Sequence, residues 1–449
     1  MKQRIPGARV LVAGMAKSGL AAAQLLLAKG ARVTACDLRP AAELPGVEEK
    51  LNAWGVPFRL QDEADFADFD LVVLSPGVPY GAPAVLRARR AGVPVIGEVE
   101  LAGYYLEGPI LGITGANGKT TTTALTGHLL RECGIPVQVG GNIGAPPTGM
   151  VDASRPEQWN VLELSSFQLE TTADFRARVG VALNVTPDHL DRHGTFEAYA
   201  AAKGRLFELQ QPGDFAVLNA ADPVCAGYAK LTAGEVFWFN AEERAGRGAR
   251  LEGGKILLDG RPLMEVAEVP LRGRHNLDNI MAAATAARLA GAPPEGIAAA
   301  VRTFPGVEHR LEFVRVVRGV AFYNDSKATN VDATLKALDA FEGGVWLILG
   351  GKDKGSDYRP LRAPAAAKAK GVLLIGAAAE KIAGHLEGAA PLIPAGTLEA
   401  AVETAFARAS AGDTVLLAPA CASFDQFDSY EHRGRVFKEL AAALNWEGR

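Results

Sequence analysis

The chain has 449 residues, of which 48% are hydrophobic and 22% charged, with a formal net charge of −4. At roughly 100–200 residues per domain it must hold several cores, its charge offers no basic field for nucleic acid, and no run approaches the ~18 apolar residues of a membrane span. Cys36, Cys133, Cys225 and Cys421 are scattered without disulfide or zinc spacing, and the polar start Met1 to Pro6 does not read as a signal peptide, so the expectation is a cytoplasmic protein of several α/β units with no nucleic-acid or membrane partner.

Residues 1–97 alternate strand and helix. Arg9 to Ala13 reads as a strand, Gly19 to Lys29 as a helix, and Arg32 to Cys36 as a second strand ending at Asp37. Leu71 to Leu74 and Pro94 to Ile96 supply later strands. This is a Rossmann-like unit, with ligand expected at the carboxyl ends of its strands. Its glycine fingerprint is degenerate, because Gly14-Met15-Ala16-Lys17-Ser18-Gly19 lacks G-x-G-x-x-G. Asp37 is either a ribose ligand or a solvated strand-end carboxylate.

Residues 98–306 form a second unit. The apolar run Pro109 to Ile113 leads into Thr114-Gly115-Ala116-Asn117-Gly118-Lys119-Thr120-Thr121, and a helical pattern with Leu125, Leu129 and Leu130 continues to Gly134. Strand, glycine loop, Lys-Thr and helix is the arrangement that cradles nucleotide phosphates. Backbone N–H groups wrap the anion at a helix N-terminus, Lys119 reaches the terminal phosphates, and Thr120 can hold a magnesium ion. Ile113 stands where the strict motif has its first glycine.

Glu163 follows an apolar run, Val161-Leu162, and precedes Leu164-Ser165-Ser166. Burying its charge costs several kcal/mol unless it is paired or metal-bound, so it reads as a magnesium ligand or a positioner of the attacking group, with an arginine partner as the alternative. Another strand, Val179 to Val185, closes at Pro187 and projects Asp188, His189, Asp191 and His193. Such a group suits Mg²⁺ or proton transfer. Lys203, in a helix from Thr195 to Leu209, reads locally as a solvated lysine. Val236 to Leu271 carries short strands with Gly-rich turns and reads as an antiparallel insertion.

Residues 307–449 alternate again, with strands at Val320 to Asn324, Val345 to Leu349, Val372 to Ile375 and Val415 to Ala418. Thr397 to Ser410 and Tyr430 to Leu444 read as helices in a second Rossmann-like unit. Three polar stretches follow its strands: Asn324 to Asn330, Gly350 to Gly355 and Pro419 to Phe427. Together they make an anion-receptive rim fit for a substrate carboxylate or phosphate.

These residues in this order resemble the Mur ligase family over essentially the whole chain. The resemblance is carried by the GxxGxxGKT loop, Glu163 to Glu170, Asn184 to Arg192, Asn324 to Asn330 and Pro419 to Phe427. The pattern looks like that of members that add D-glutamate, and the Asp-Asn-Pro-Arg signature of the diamino-acid-adding members is absent. The resemblance implies a UDP-binding first domain, a central P-loop ATPase-like domain and an amino-acid-binding third domain. It implies a monomer that joins UDP-N-acetylmuramoyl-L-alanine to D-glutamate through an acyl phosphate, using ATP and two Mg²⁺ ions.

Roles follow for the matched residues. Gly115, Asn117, Gly118, Lys119, Thr120 and Thr121 would bind ATP phosphates, and Glu163 and His189 would serve the second magnesium. Lys203 matches a lysine that takes up CO₂ as a carbamate, a carboxylate-like anion able to ligate Mg²⁺. Asn276 and Asn279 match adenine-side contacts, Arg310 a phosphate contact and Asp325 a ribose contact. Lys17, Ser18, Asp37, Arg39, Ser75 and Gly77 would hold the UDP group, with Asn142 toward the muramoyl portion and Ser165 a further substrate contact. Thr329, Lys354 (or Lys352), Ser423 and Phe424 would hold D-glutamate, with Lys327 and Tyr430 as further candidate substrate contacts. Closure of the third domain on the second, hinged near Gly97 and Gly306, would exclude water. The alternatives are an amide ligase of other amino-acid specificity, a nucleotide-dependent switch, and a dinucleotide oxidoreductase.

Overall fold

The computed structural model describes residues 5–240, 247–271 and 273–444; the polar start before residue 5, 241–246 of the expected insertion and the last residues from 445 lie outside them. Strands β1 (Arg9–Ala13), β2 (Arg32–Asp37), β3 (Phe58–Leu60), β4 (Leu71–Leu74) and β5 (Val95–Gly97) build a first sheet in the order β3-β2-β1-β4-β5, all parallel. Strands covered on both faces carry consecutive apolar residues. Their period-two alternation sends Val10, Val12, Val33, Ala35 and Val73 to one core and Leu11, Ala13, Cys36, Val72 and Leu74 to the other. The order reverses between β1 and β4. The loops that follow these two strands therefore open on the crevice where doubly wound sheets bind ligands.

The central sheet holds β6 (Ile110–Thr114), β7 (Val137–Gly141), β8 (Trp159–Glu163), β9 (Val179–Ala182), β10 (Phe215–Asn219), β11 (Glu235–Phe239), β12 (Gly248–Glu252), β13 (Lys255–Leu258) and β14 (Arg261–Glu265). Their order is β14-β13-β12-β11-β10-β9-β6-β8-β7. β6 lies between β8 and β9, parallel to both. The expected antiparallel insertion is only partly so. β11 and β12 join in parallel, and β12 to β14 alone run antiparallel, extending the same sheet. A crossover helix, Pro223–Gly227, returns the chain so that the apolar β11 pairs with β10 in parallel. The reversal after β12 comes from Gly253 and Gly254, whose φ values of +57° and +79° suit a two-residue hairpin turn.

The third sheet, β15 (Glu312–Val317), β16 (Val320–Asn324), β17 (Val345–Gly350), β18 (Ala369–Ile375), β19 (Leu392–Gly396) and β20 (Thr414–Leu417), is ordered β15-β16-β20-β17-β18-β19. Only β15 is antiparallel. Val345, Leu347 and Leu349 face one core, and Trp346 and Ile348 the other. The three polar stretches read from the sequence follow β16, β20 and β17, which are neighbours.

The first two sheets belong to one compact unit, Met1–Val269 with Asp278–Phe304; the third belongs to another, Pro270–Leu277 with Pro305–Arg449. Within the first unit the join beyond Gly97 is sealed by Glu98. Its buried carboxylate accepts from the Thr148 backbone N–H and hydroxyl, both at 2.6 Å, and burial pushes its pKa up to about 7. Among the described residues no helix is long and apolar enough to cross a membrane.

Candidate active site

The phosphate loop leaves β6 and enters the Lys119–Glu132 helix. Gly118 precedes that helix at φ +85°, and a Cβ there would meet Asn279 Oδ1 at 2.3 Å, so glycine is required for both conformation and space. Asn184, at the end of the neighbouring β9 segment, clamps the loop from the side. Its carbonyl accepts from Ala116 N–H at 2.8 Å, its Oδ1 from Asn117 N–H at 2.8 Å, and its Nδ2 donates to the Asn117 carbonyl at 3.0 Å. Lys119 Nζ donates to the carbonyls of Gly115 and Ala116, both at 2.9 Å. Thr120 and Thr121 are buried at the helix start.

Glu163 ends β8 in register with Ile113 of β6, beside the point where the phosphate loop begins. It is 2% exposed. Asn142 Nδ2 donates to its Oε1 at 3.0 Å, while its Oε2 is buried with no hydrogen-bond partner. The arginine alternative is therefore not what this carboxylate meets. Asn142 also donates its backbone N–H to the Glu163 carbonyl, and Ser165 caps the next helical turn through Gln168. His189 adopts φ +51°, is half exposed, lies 3.6 Å from Asp188 and meets the Phe167 ring edge-on at 4.8 Å.

Lys203 corrects the sequence reading. It lies on the covered face of the Phe196–Glu208 helix and is 1% exposed. Its Nζ donates to the Gly115 carbonyl at 2.9 Å and sits 4.6 Å from the Tyr199 ring centroid. Burial, reinforced by the charge of Lys119, lowers its pKa to about 7 against weaker pulls from Asp188 and Glu163.

In the first sheet, Asp37 serves the loop itself, accepting from Met15 N–H at 2.8 Å and Arg39 N–H at 3.2 Å. The Ser75 hydroxyl donates to the Gly14 carbonyl at 2.6 Å, and the Gly77 carbonyl accepts from Arg192. Lys17 and Arg39 are exposed around the crevice and Ser18 is half-buried. Asn279, expected on the adenine side, lies against Gly118, and the Thr122 hydroxyl donates to its Oδ1 at 3.3 Å.

In the second unit, Asn276 is buried. Arg310 stands between His309 and Leu311, both non-glycine residues at left-handed φ of +63° and +44°, a strain that folded proteins keep mostly at functional sites. Its Nε is buried without a partner. Asp325 is buried, and desolvation raises its pKa to about 6 against the pull of Arg310. Lys327 Nζ sits 5.7 Å from the Tyr430 ring centroid, and the Thr329 N–H donates to the Lys327 carbonyl. Lys352 N–H donates to the Ala422 carbonyl at 2.9 Å, next to buried Ser423. Lys354 and Phe424 are exposed.

Sequence reading passed over Arg433, which holds two of the three polar loops together. Its guanidinium has no exposed surface. Nε donates to Ser326 Oγ at 3.0 Å, Nη2 to the Ser326 and Cys421 carbonyls at 2.9 and 3.1 Å, and Nη1 to the Ala422 carbonyl at 3.4 Å. Arg433→Met is expected to cost roughly 2–5 kcal/mol by stranding those buried acceptors. Chemical denaturation checks it, and an unchanged midpoint would remove Arg433 from this role.

A phosphate loop after β6, with a buried carboxylate ending the neighbouring β8, is the arrangement of a P-loop nucleotide-binding protein. Three family descriptions match in turn: Mur ligase MurD-like, N-terminal domain over residues 8–97, Mur ligase middle domain over 113–287, and Mur ligase, glutamate ligase domain over 309–421. The chain belongs to the Mur ligase family, ATP-dependent ligases of small-molecule substrates. It is 62% identical over 441 residues to the UDP-N-acetylmuramoylalanine--D-glutamate ligase of Solibacter usitatus, covering 98% of this chain and 99% of the relative. The enzyme of the same name from Koribacter versatilis is 50% identical, with 98% of each chain covered. Among solved structures, UDP-N-acetylmuramate-alanine ligase of Thermotoga maritima matches at TM-score 0.61 and 18% identity over 98% of this chain and 100% of that one, which shows the shared fold.

Proposed function

We propose that the chain forms the amide bond between the L-alanine carboxyl of UDP-N-acetylmuramoyl-L-alanine and the amine of D-glutamate, in cytoplasmic peptidoglycan precursor synthesis. The observation that carries the chemistry is the unpartnered, buried Glu163 Oε2 beside the phosphate loop. The names of the relatives at 62% and 50% identity support the two substrates. Its domains are 1–97 for UDP, 98–306 for ATP and 307–449 for the amino acid. The enzyme acts as a monomer, without nucleic-acid or membrane partners.

A substrate carboxylate oxygen attacks the γ-phosphorus of ATP; the new O–P bond forms as the bond to ADP breaks, and ADP leaves with the electron pair. The D-glutamate amine then attacks the acyl carbon, phosphate departs, and the surplus amine proton leaves with it. Lys119 offsets charge on the transferring group, and Arg310 is assigned to the same phosphates. Asp325, Asn276 and Asn279 are assigned to the nucleoside, Asn279 from its place beside Gly118. Lys17, Ser18, Asp37, Arg39, Ser75 and Gly77 bind UDP, while Asn142 and Ser165 face the muramoyl portion. Lys327, Thr329, Lys354 or Lys352, Ser423 and Phe424 receive D-glutamate.

Thr120, Glu163, His189 and a Lys203 carbamate would hold two Mg²⁺ ions. Among the described residues no cluster of three or more His, Cys, Asp or Glu stands ready for a metal. Mg²⁺ takes one or two carboxylates and completes its shell with water and phosphate oxygens, and the orphaned Glu163 oxygen fits such a role. When bound, Mg²⁺ neutralises negative charge on the phosphoryl oxygens. The carbamate forms when the neutral Lys203 amine attacks CO₂: an N–C bond forms, one C=O π pair moves onto oxygen, and the nitrogen loses a proton. The product places an anion where a buried cation faced Lys119.

The test is phosphate release with ATP and UDP-N-acetylmuramoyl-L-alanine against a panel of amino acids. D-glutamate is expected to exceed L-alanine, L-glutamate and a diamino acid by at least about a hundredfold, in line with a site that pairs buried polar groups with its substrate. Equal release with any of these, or release independent of amino acid, rejects the assignment.

A further inference from the structure

Arg192 sits in the short Leu190–His193 helix, in the same turn as His189, yet its guanidinium contacts the loop after β4 of the first sheet. Nη1 donates to the Gly77 carbonyl at 3.3 Å, and Nη2 to the carbonyls of Pro76 at 3.3 Å and Val78 at 2.9 Å. Nη2 also meets Glu170 Oε1 at 2.5 Å. The Phe167 ring centroid lies 4.6 Å from the guanidinium carbon, and the two charged side chains are only 12% and 17% exposed. Three successive carbonyls of one loop thus converge on a cation that is anchored by a carboxylate from the central sheet's side.

Fixing those carbonyls fixes their peptide planes. In a trans peptide the N–H points opposite to the C=O, so the Gly77 N–H is turned away from Arg192. The Val78 N–H closes the turn onto the Ser75 carbonyl at 3.0 Å, and Ser75 in turn ties to Gly14. The two crevice loops and the His189 turn are therefore linked through two side chains, Ser75 and Arg192. We propose that Arg192 is a positioning residue that sets the Ser75–Val78 loop in register with the His189 turn, and so fixes where the uridine end of the acceptor lies relative to its reacting carboxylate. This rests on the proposed binding of the UDP group by Ser75 and Gly77.

The ammonium of lysine keeps a charge for Glu170 but lacks the planar fork that reaches several carbonyls. Arg192→Lys is expected to raise the Kd for UDP-N-acetylmuramoyl-L-alanine, measured calorimetrically, at least tenfold while the Kd for Mg·ATP stays within twofold. Arg192→Ala should do the same or more; if it does not fold, Arg192→Lys carries the test. In turnover the KM for the acceptor should rise more than kcat falls. An acceptor Kd within twofold of wild type in folded Arg192→Lys, or equal weakening of acceptor and ATP, overturns the proposal. Wild-type protein that binds no acceptor overturns the underlying UDP assignment and this inference with it.

Discussion

Lys119→Ala is expected to lower amino-acid-dependent phosphate release by at least about a thousandfold, equivalent to ~4 kcal/mol of lost transition-state stabilisation. The side chain leaves the first turn of the Lys119–Glu132 helix, where backbone N–H groups and the helix dipole already favour an anion. Its ammonium lies against the Gly115 and Ala116 carbonyls, within the loop that receives the phosphates, so it can turn from carbonyl to phosphoryl oxygen without refolding anything. The loop should survive its removal. Lys203 still donates to Gly115, and Asn184 still binds Ala116 and Asn117. The melting temperature should therefore move little while turnover collapses. Turnover within tenfold of wild type would reject the phosphate-loop assignment. ATP binding that persists with no amino-acid-dependent release in the wild type would instead favour a nucleotide switch.

What could be read from the sequence is what local chemistry imposes. The glycine loop declares itself because positive φ and close approach at Gly118 leave few residue choices. Glu163 declares itself because a carboxylate inside an apolar run needs a reason. The polar stretches of the third unit follow apolar runs, and the sheet order makes them neighbours.

Long-range contacts were not legible. Lys203 sits in Ala-Ala-Lys-Gly-Arg, and nothing within a few residues reveals that its amine reaches Gly115, 88 positions away. Arg433 lies in a helix whose neighbours include Glu431, Arg435 and Lys438, so its sequence context is that of a solvated face. Its partners are loop carbonyls, which leave no side-chain signature. Arg192 and Asn184 lie inside a motif quoted for its histidines and aspartates, and both act mainly on backbone groups. Edge strands such as β7, β15 and β19 escaped as well, because half-exposed strands blur the apolar run. Asn279 is likewise set against Gly118 by a long-range contact that the sequence around it does not announce.

Replacing Lys203 should separate stability from activity. Burial and the nearby Lys119 lower its pKa from 10.5 to about 7, so the unfolded chain holds this proton up to ~10.4 and the folded one loses it near 7. Below pH 7 both states are protonated and the penalty of a buried cation is fully present. Between about pH 7 and 10.4 the unfolded state binds more protons, so stability rises with pH. Lys203→Met removes the charge and fills similar volume. In CO₂-free, metal-free buffer at pH 6 it should be more stable than wild type by a few kcal/mol, the shift itself being worth on the order of 5 and the lost bond to Gly115 offsetting about 1. The advantage should shrink steadily and vanish by about pH 10. Ligation should fall at least about a thousandfold in the same variant, and in Lys203→Arg, because neither side chain can take up CO₂. A small carboxylate added to Lys203→Ala should restore part of the activity by standing in for the carbamate. Denaturation midpoints across pH and phosphate-release rates read the two effects separately. A pH-independent stability difference would contradict the buried cation, and full activity of Lys203→Arg would contradict the carbamate.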